Sequence, residues 1–171
     1  NNSSVCVVVG PSGSGKTVLA KGWFNTKQST ALTVWLRAEN LNEITFTNLG
    51  QSLNIKHSLK EVLEASMGKS LSLVVDGIDR LFSEDGFSTL SSILRICSPI
   101  SNCKMLITCQ PEEWNRIKIN LHDHNIDTVI WKLYSLQELD TKEFGDVLKQ
   151  FPQLRGLSRK PELQNLLYRP K

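Results

Sequence analysis

The sequence predicts an α/β fold with a parallel five-stranded sheet between layers of helices. Three observations predict it. Five short apolar, β-branched runs recur along the chain, and longer amphipathic stretches separate them. The composition, 40% hydrophobic and 22% charged over 171 residues, suits an ordinary globular domain that needs no disulfide or metal to hold its core. Runs that are apolar almost throughout suit strands covered on both faces. Repeated strand–helix–strand units with right-handed crossovers build a parallel sheet.

The first strand is Val5 to Val9, four valines around Cys6. A helix follows over Lys16 to Phe24. The second strand is Ala31 to Leu36, and the stretch from Leu41 to Met67 holds two helices split near Asn54 to Ser58. Leu71 to Val75 is the third strand. Phe87 to Ile96 sets Phe87, Leu90, Ile93 and Leu94 on one helical face. Lys104 to Thr108 is the fourth strand. Pro111 with Glu112 and Glu113 marks a helix start, with proline in the first turn and acids near the positive dipole end. Thr128 to Leu133 is the fifth strand. Beyond it the pattern becomes helical at Ser135 to Leu139, Thr141 to Gln150 and Pro161 to Tyr168. A boundary near Tyr134 therefore divides an α/β core, residues 1–134, from the start of a helical subdomain, residues 135–171.

Charge and composition exclude several classes. Twenty basic against 17 acidic residues give a net +3, too little for a wholly basic nucleic-acid binder. The basic excess lies in the tail, where Arg155, Arg159, Lys160, Arg169 and Lys171 face one acid, Glu162. The longest apolar run, Val5 to Val9, is far short of the ~20 residues a membrane span requires. The four cysteines, at 6, 97, 103 and 109, form no C-x-x-C pair and have no histidine at zinc spacing, so reduced thiols in a cytoplasmic protein are expected. With neither an initiator Met nor a signal-peptide pattern at Asn1, the chain reads as a piece of a longer protein.

The strongest chemical signal is Gly10-Pro11-Ser12-Gly13-Ser14-Gly15-Lys16-Thr17, an ungapped G-x-x-x-x-G-K-[ST] between a buried strand and a helix. Glycines let backbone N–H groups turn inward around phosphate oxygens. The following helix adds unpaired N–H groups and a positive dipole end. Lys16 contributes a full charge at the outer phosphates, and the Thr17 hydroxyl suits Mg²⁺, a hard cation. With Val18 in the first helical turn, these residues make up the expected phosphate-binding set.

The second signal is Val74-Val75-Asp76-Gly77-Ile78-Asp79. A carboxylate at the carboxyl end of a parallel strand faces the crevice where ligands bind. Asp76 is therefore expected to hold Mg²⁺ opposite Thr17, and Asp79 to orient an attacking water. Thr108 and Gln110, at the tip of the fourth strand, are candidates for the terminal phosphate or that water, against an ordinary turn before Pro111. No Asn-Lys-x-Asp guanine motif occurs, and no Arg-rich lid insertion of the kind small-molecule kinases carry follows the fourth strand. Trp35 and Trp131 read as core aromatics and His122-Asp123-His124 as a polar loop. Arg37, Arg80 and Arg116 read as solvated, with contact to a neighbouring subunit as the sharper reading.

Together, Val7 to Thr17, Val74 to Asp79 and Leu106-Ile107-Thr108-Cys109-Gln110-Pro111 resemble the STAND class of signal-transduction P-loop ATPases, which includes the NACHT and NB-ARC groups. The resemblance covers residues 5–134. It implies the additional-strand arrangement, in which the fourth strand inserts between the first and third. It also implies a switch that binds ATP or ADP with Mg²⁺, hydrolyses slowly and self-assembles in its triphosphate state, in programmed cell death, innate immunity or antiphage defence. Three positions depart from that class. Arg80 stands where an acid often follows the second Asp, Gln110 stands where an Arg often precedes the Pro, and Arg159-Lys160-Pro161 replaces Gly-x-Pro. The last leaves Pro161 as the expected base contact. A remodelling ATPase of the AAA+ type and a nucleotide-binding scaffold without hydrolysis are the alternatives.

Overall fold

The computed structural model describes residues 4–42, 70–126 and 129–136, with isolated residues at 45–46, 48–49, 56–58, 61–62, 65 and 149. The chain divides into two compact units, Asn1–Ser135 and Leu136–Lys171. Every element below lies in the first. Pro161, the expected helices of the tail and most of the stretch from Leu41 to Met67 lie outside the described residues.

The element order is β1 (Ser4–Val9), α1 (Lys16–Lys27), β2 (Leu32–Arg37), a 3₁₀ turn (Ala38–Leu41), β3 (Leu71–Asp76) and a second 3₁₀ turn (Ile78–Arg80). Then come α2 (Glu84–Cys97), β4 (Cys103–Cys109), α3 (Pro111–Asp123) and β5 (Ile130–Ser135). All five strands join one sheet in the order β2-β3-β4-β1-β5, and every pairing is parallel. β4 is thus inserted between β1 and β3, the additional-strand arrangement.

Strand alternation produces the layers. Val5, Val7 and Val9 of β1, Leu71, Leu73 and Val75 of β3, and Met105, Ile107 and Cys109 of β4 share one buried core with Phe87, Leu90, Ile93 and Leu94 of α2 and Trp114, Ile117 and Leu121 of α3. The intervening residues Val8, Val74 and Leu106 are buried outside that cluster, as is Ala20 of α1. On this second face Phe24 of α1 meets Trp35 of β2 edge-on, with ring centroids 5.5 Å apart. Each fully buried aliphatic side chain contributes roughly 1.5–3 kcal/mol, so the sheet is held from both sides.

The three helices begin differently. Ser83 caps α2 by accepting from the Gly86 N–H, and Glu84 and Asp85 occupy its first turn. α3 opens with Pro111 and the acids Glu112 and Glu113. α1 has neither a side-chain cap nor an acid in its first turn, and its N-cap Gly15 is left-handed at φ 88°. Its positive end is open to an anion.

Several boundaries move from the expected ones. α2 begins at Glu84 rather than Phe87, because Ser83 supplies a cap. Residues from Ala38 form a 3₁₀ turn ahead of the expected helix at Leu41. His122 and Asp123 end α3 rather than forming a loop. Trp131 packs edge-on against Trp114 at 5.3 Å and is half-buried. Trp35 is also half-buried and lines a cavity instead of closing a core.

Candidate functional site

The carboxyl ends of β1, β3 and β4 converge, and the loops leaving them surround a cavity of about 520 Å³. Residues of the phosphate loop (Ser12, Gly13, Gly15, Lys16, Thr17), Val18 and Lys21 of α1, and Asp76, Gly77, Asp79, Arg80, Thr108 and Gln110 line it together with Trp35, Arg37 and Glu39 of the β2 edge. The sequence placed the phosphate loop and the acidic strand end 59 residues apart; the fold puts Thr17 and Asp76 in contact.

The loop takes its shape from two left-handed glycines, Gly13 at φ 81° and Gly15 at φ 88°. A side chain at either position would be strained. Gly10 ties the loop to the sheet through its N–H, which donates to the Cys109 carbonyl at 3.2 Å. Lys16 folds back, its Nζ donating to the Gly10 carbonyl at 2.7 Å and the Pro11 carbonyl at 2.9 Å. These contacts hold a cation at the mouth of the loop. Ser14 Oγ is enclosed and has no hydrogen-bond partner among the described residues. Val18 lies 73% exposed against the cavity.

Thr17 Oγ1 donates to Asp76, 3.1 Å from each carboxylate oxygen. This is an all-oxygen donor pair beside the phosphate loop, the set a hard cation such as Mg²⁺ prefers over nitrogen or sulfur. The residues present therefore fit the expected metal. Asp76 is itself held in place. Thr108, 1% exposed, donates from Oγ1 to Asp76 Oδ1 at 2.6 Å and accepts from the Gly77 N–H at 2.8 Å. Among these contacts, the Thr108 hydroxyl is committed to the acidic strand end rather than turned toward a phosphate.

Asp79 sits in the 3₁₀ turn after β3. Its Oδ1 accepts from the Gln110 backbone N–H at 3.1 Å and its Oδ2 from Gln110 Nε2 at 3.3 Å. The structure thus brings two candidates together as partners of each other. Arg116 of α3 donates to the Asp79 and Leu81 carbonyls at 3.4 and 3.1 Å and pairs with Glu113 at 2.6 Å. It is a brace within the chain. Arg80 pairs with Glu39 at 2.5 Å, and Arg37 lies 3.9 Å from the other Glu39 oxygen. Cys109, buried at the β4 tip, has its thiol pushed up to about 12 by burial and then by the negative charges of Asp79 and Glu113. It is a neutral wall at neutral pH.

Two residues central to this geometry gave no sequence signal. Asn42 is buried, accepts from the Phe82 and Ser83 N–H groups at 3.0 and 3.2 Å, and donates to the Arg80 carbonyl at 2.8 Å. It ties the turn after β2 to the turn after β3. Glu39 does the same from the cavity side. Both lie in an irregular segment where neither spacing nor motif singles out a residue.

Among the described residues no helix is long and apolar enough to cross a membrane, and no cluster of three or more His, Cys, Asp or Glu side chains forms a metal site. No curated protein sequence matches the chain. Its fold is similar to that of the Aeropyrum pernix ORC2 protein in ADPNP–ADP complexes, with TM-score 0.64 and 15% identity over 89% of this chain and 46% of that one. It is also similar to AMPPCP-bound DnaA from Aquifex aeolicus, with TM-score 0.62 and 14% identity over 96% of this chain and 50% of that one. A Walker-type ATPase of Pyrococcus abyssi matches with TM-score 0.61 and 14% identity, over 95% of this chain and 56% of that one. The chain thus spans about half the length of these proteins, and the likeness is one of fold. In sequence, residues 4–152 match the NACHT domain. A phosphate loop, an acidic strand end and an inserted fourth strand, all within that match, lead to one conclusion: the chain belongs to the NACHT domain family.

Proposed function

We propose that this domain is the nucleotide switch of a signal-transduction ATPase of the STAND class, binding ATP or ADP with Mg²⁺ and hydrolysing ATP slowly. The observation that carries this reading is the contact of Thr17 with Asp76 beside an open, left-handed glycine loop and the Lys16 ammonium. The α1 N-terminus and the inward-turned loop amides receive the phosphates. Lys16 exchanges its two carbonyl partners for phosphate oxygens. Thr17 and Asp76 would hold Mg²⁺, which neutralises charge on the polyphosphate when bound. In this reading Asp79 accepts a proton from a water attacking the terminal phosphate. Gln110 engages both of its oxygens, which supports slow turnover: the carboxylate must leave a partner before it can serve as a base.

A switch of this kind acts by self-assembly in its triphosphate state, and innate immunity or antiphage defence in the cytoplasm is the setting the family resemblance supports. Residues 135–171 are read as the start of the helical subdomain, with Pro161 as the base contact.

Calorimetric titration with ATP and ADP in Mg²⁺ tests the core of this reading. Unaltered chain binds both nucleotides, and Lys16→Ala removes binding. Asp79→Asn keeps ATP affinity and lowers turnover at least ~100-fold, the scale of a lost general base. ATP affinity unchanged by Lys16→Ala would refute the assignment.

A further inference from the structure

Arg80 occupies an unusual place. The residue before it, Asp79, is the candidate base, and the 3₁₀ turn Ile78–Arg80 starts from Gly77 in the left-handed conformation at φ 75°. That turn sends the Arg80 side chain back over Gly77, where a Cβ would stand 3.8 Å from its Cδ and 3.9 Å from its Nε. The guanidinium therefore runs past the end of β3 along the cavity wall, which Asp76 also lines. Both Gly77 and Arg80 line the same cavity as Lys16 and Thr17. At its far end the guanidinium meets Glu39 at 2.5 Å, and the negative charges of Asp79 and Asp76 also act on it.

The pair with Glu39 is a solvated one, with side chains 65% and 40% exposed. Such pairs are worth little, so Arg80 can leave Glu39 at small cost. Glu39 keeps a second cation within reach, since Arg37 lies 3.9 Å from its other oxygen. Arg37 is in register with Asp76 across the β2–β3 pairing, which fixes this group of charges at the strand ends.

We infer that Arg80 is the residue by which this chain distinguishes a nucleoside triphosphate from a diphosphate, resting on Glu39 until a third phosphate draws it onto the ligand. This rests on the nucleotide reading above. The phosphate loop amides serve the phosphates shared by both nucleotides, and Lys16 reaches the outer ones. Arg80 lines the same cavity wall as Thr17 and Asp76 and is held there by a weak, solvated pair. A planar guanidinium binds phosphate oxygens through charge-assisted, often bidentate hydrogen bonds, stronger than a screened surface pair with a carboxylate. Arg80 is thus a specificity-determining residue, acting in the chain that carries it and needing no neighbour.

The experiment compares affinities for ADP and for the non-hydrolysable analogue AMPPCP, each with Mg²⁺, in the 171-residue chain and two variants. Arg80→Ala lowers AMPPCP affinity about tenfold and leaves ADP affinity within about twofold. Glu39→Gln, which removes the competing carboxylate, raises AMPPCP affinity a few-fold and leaves ADP unchanged. Loss of the same size for both nucleotides in Arg80→Ala, no loss for either, or weaker AMPPCP binding in Glu39→Gln overturns the inference while the nucleotide site stands. Failure of the unaltered, folded chain to bind either nucleotide overturns the nucleotide reading itself.

Discussion

Thr108 shows how one buried hydroxyl can set the aim of a carboxylate, here the proposed metal-holding Asp76. It donates to Asp76 and accepts from the Gly77 N–H, so it links a side chain to the backbone that follows it. Val has nearly the same shape and neither hydrogen bond. Thr108→Val therefore frees the Asp76 oxygen and leaves the half-buried Gly77 N–H unpaired, a cost of about 1 kcal/mol in stability. Its functional signature is a several-fold rise in the Mg²⁺ concentration needed for tight nucleotide binding, with little change in Mg²⁺-free binding. Thr108→Ser, which keeps the hydroxyl, restores the metal dependence. A titration of nucleotide affinity against Mg²⁺ reads both. Cys109 gives a second residue-scale prediction. Its thiol is held up at about 12, above the ordinary 9.0. The unfolded chain loses this proton first, so the contribution to stability is complete below about pH 9 and declines as pH rises toward 12. Urea unfolding midpoints between pH 8 and 11 fall more steeply in the unaltered chain than in Cys109→Ala.

At the level of elements, the helix starts divide the work. α2 and α3 neutralise their own positive ends with acids, while α1 keeps its end open. Placing an acid in the first turn of α1, as in Val18→Glu, sets a negative charge beside the phosphate site and weakens nucleotide binding, an effect that added salt reduces. The junction before α2 is a second device. Ser83 Oγ accepts from Gly86 N at 3.0 Å and donates to the Asn42 carbonyl at 2.8 Å. Loss of an N-cap costs about 1 kcal/mol, and this one also anchors Asn42. Ser83→Ala and Asn42→Ala each destabilise the chain, Asn42→Ala by about 2 kcal/mol because it removes the hydrogen bonds to the Phe82 and Ser83 N–H groups and the Arg80 carbonyl together. The double variant loses less than the sum, since the two residues share hydrogen bonds. Thermal unfolding of the three chains measures it.

Across the whole core unit, the sheet order makes the site. β4 lies between β1 and β3, so its tip meets both the phosphate loop, through Gly10 and Cys109, and the acidic turn, through Thr108 and Gln110. The same burial governs the thiols. Cys6 is partly exposed, whereas Cys97, Cys103 and Cys109 are buried. Native-state alkylation followed by mass spectrometry labels Cys6 first, and the other three react at the rate of local or global opening.

The strands, their number and their parallel arrangement were legible in the sequence, because runs such as Val5–Val9 and Leu71–Val75 are apolar enough to demand cover on both faces. So was the phosphate loop, since backbone geometry of that kind needs its glycines at fixed spacing and its lysine at the end. Asp76 and Asp79 were legible as acids after a strand. Their partners were not. Thr108 belongs to Asp76, Gln110 to Asp79, Arg80 to Glu39 and Asn42 to Arg80, Phe82 and Ser83, and these pairings join residues 31 to 41 positions apart. Hydrophobic spacing reports which face of an element is buried. It carries no information on which polar side chain will meet which across the ends of a sheet, because that depends on the register and order of strands that come together only when the chain has folded.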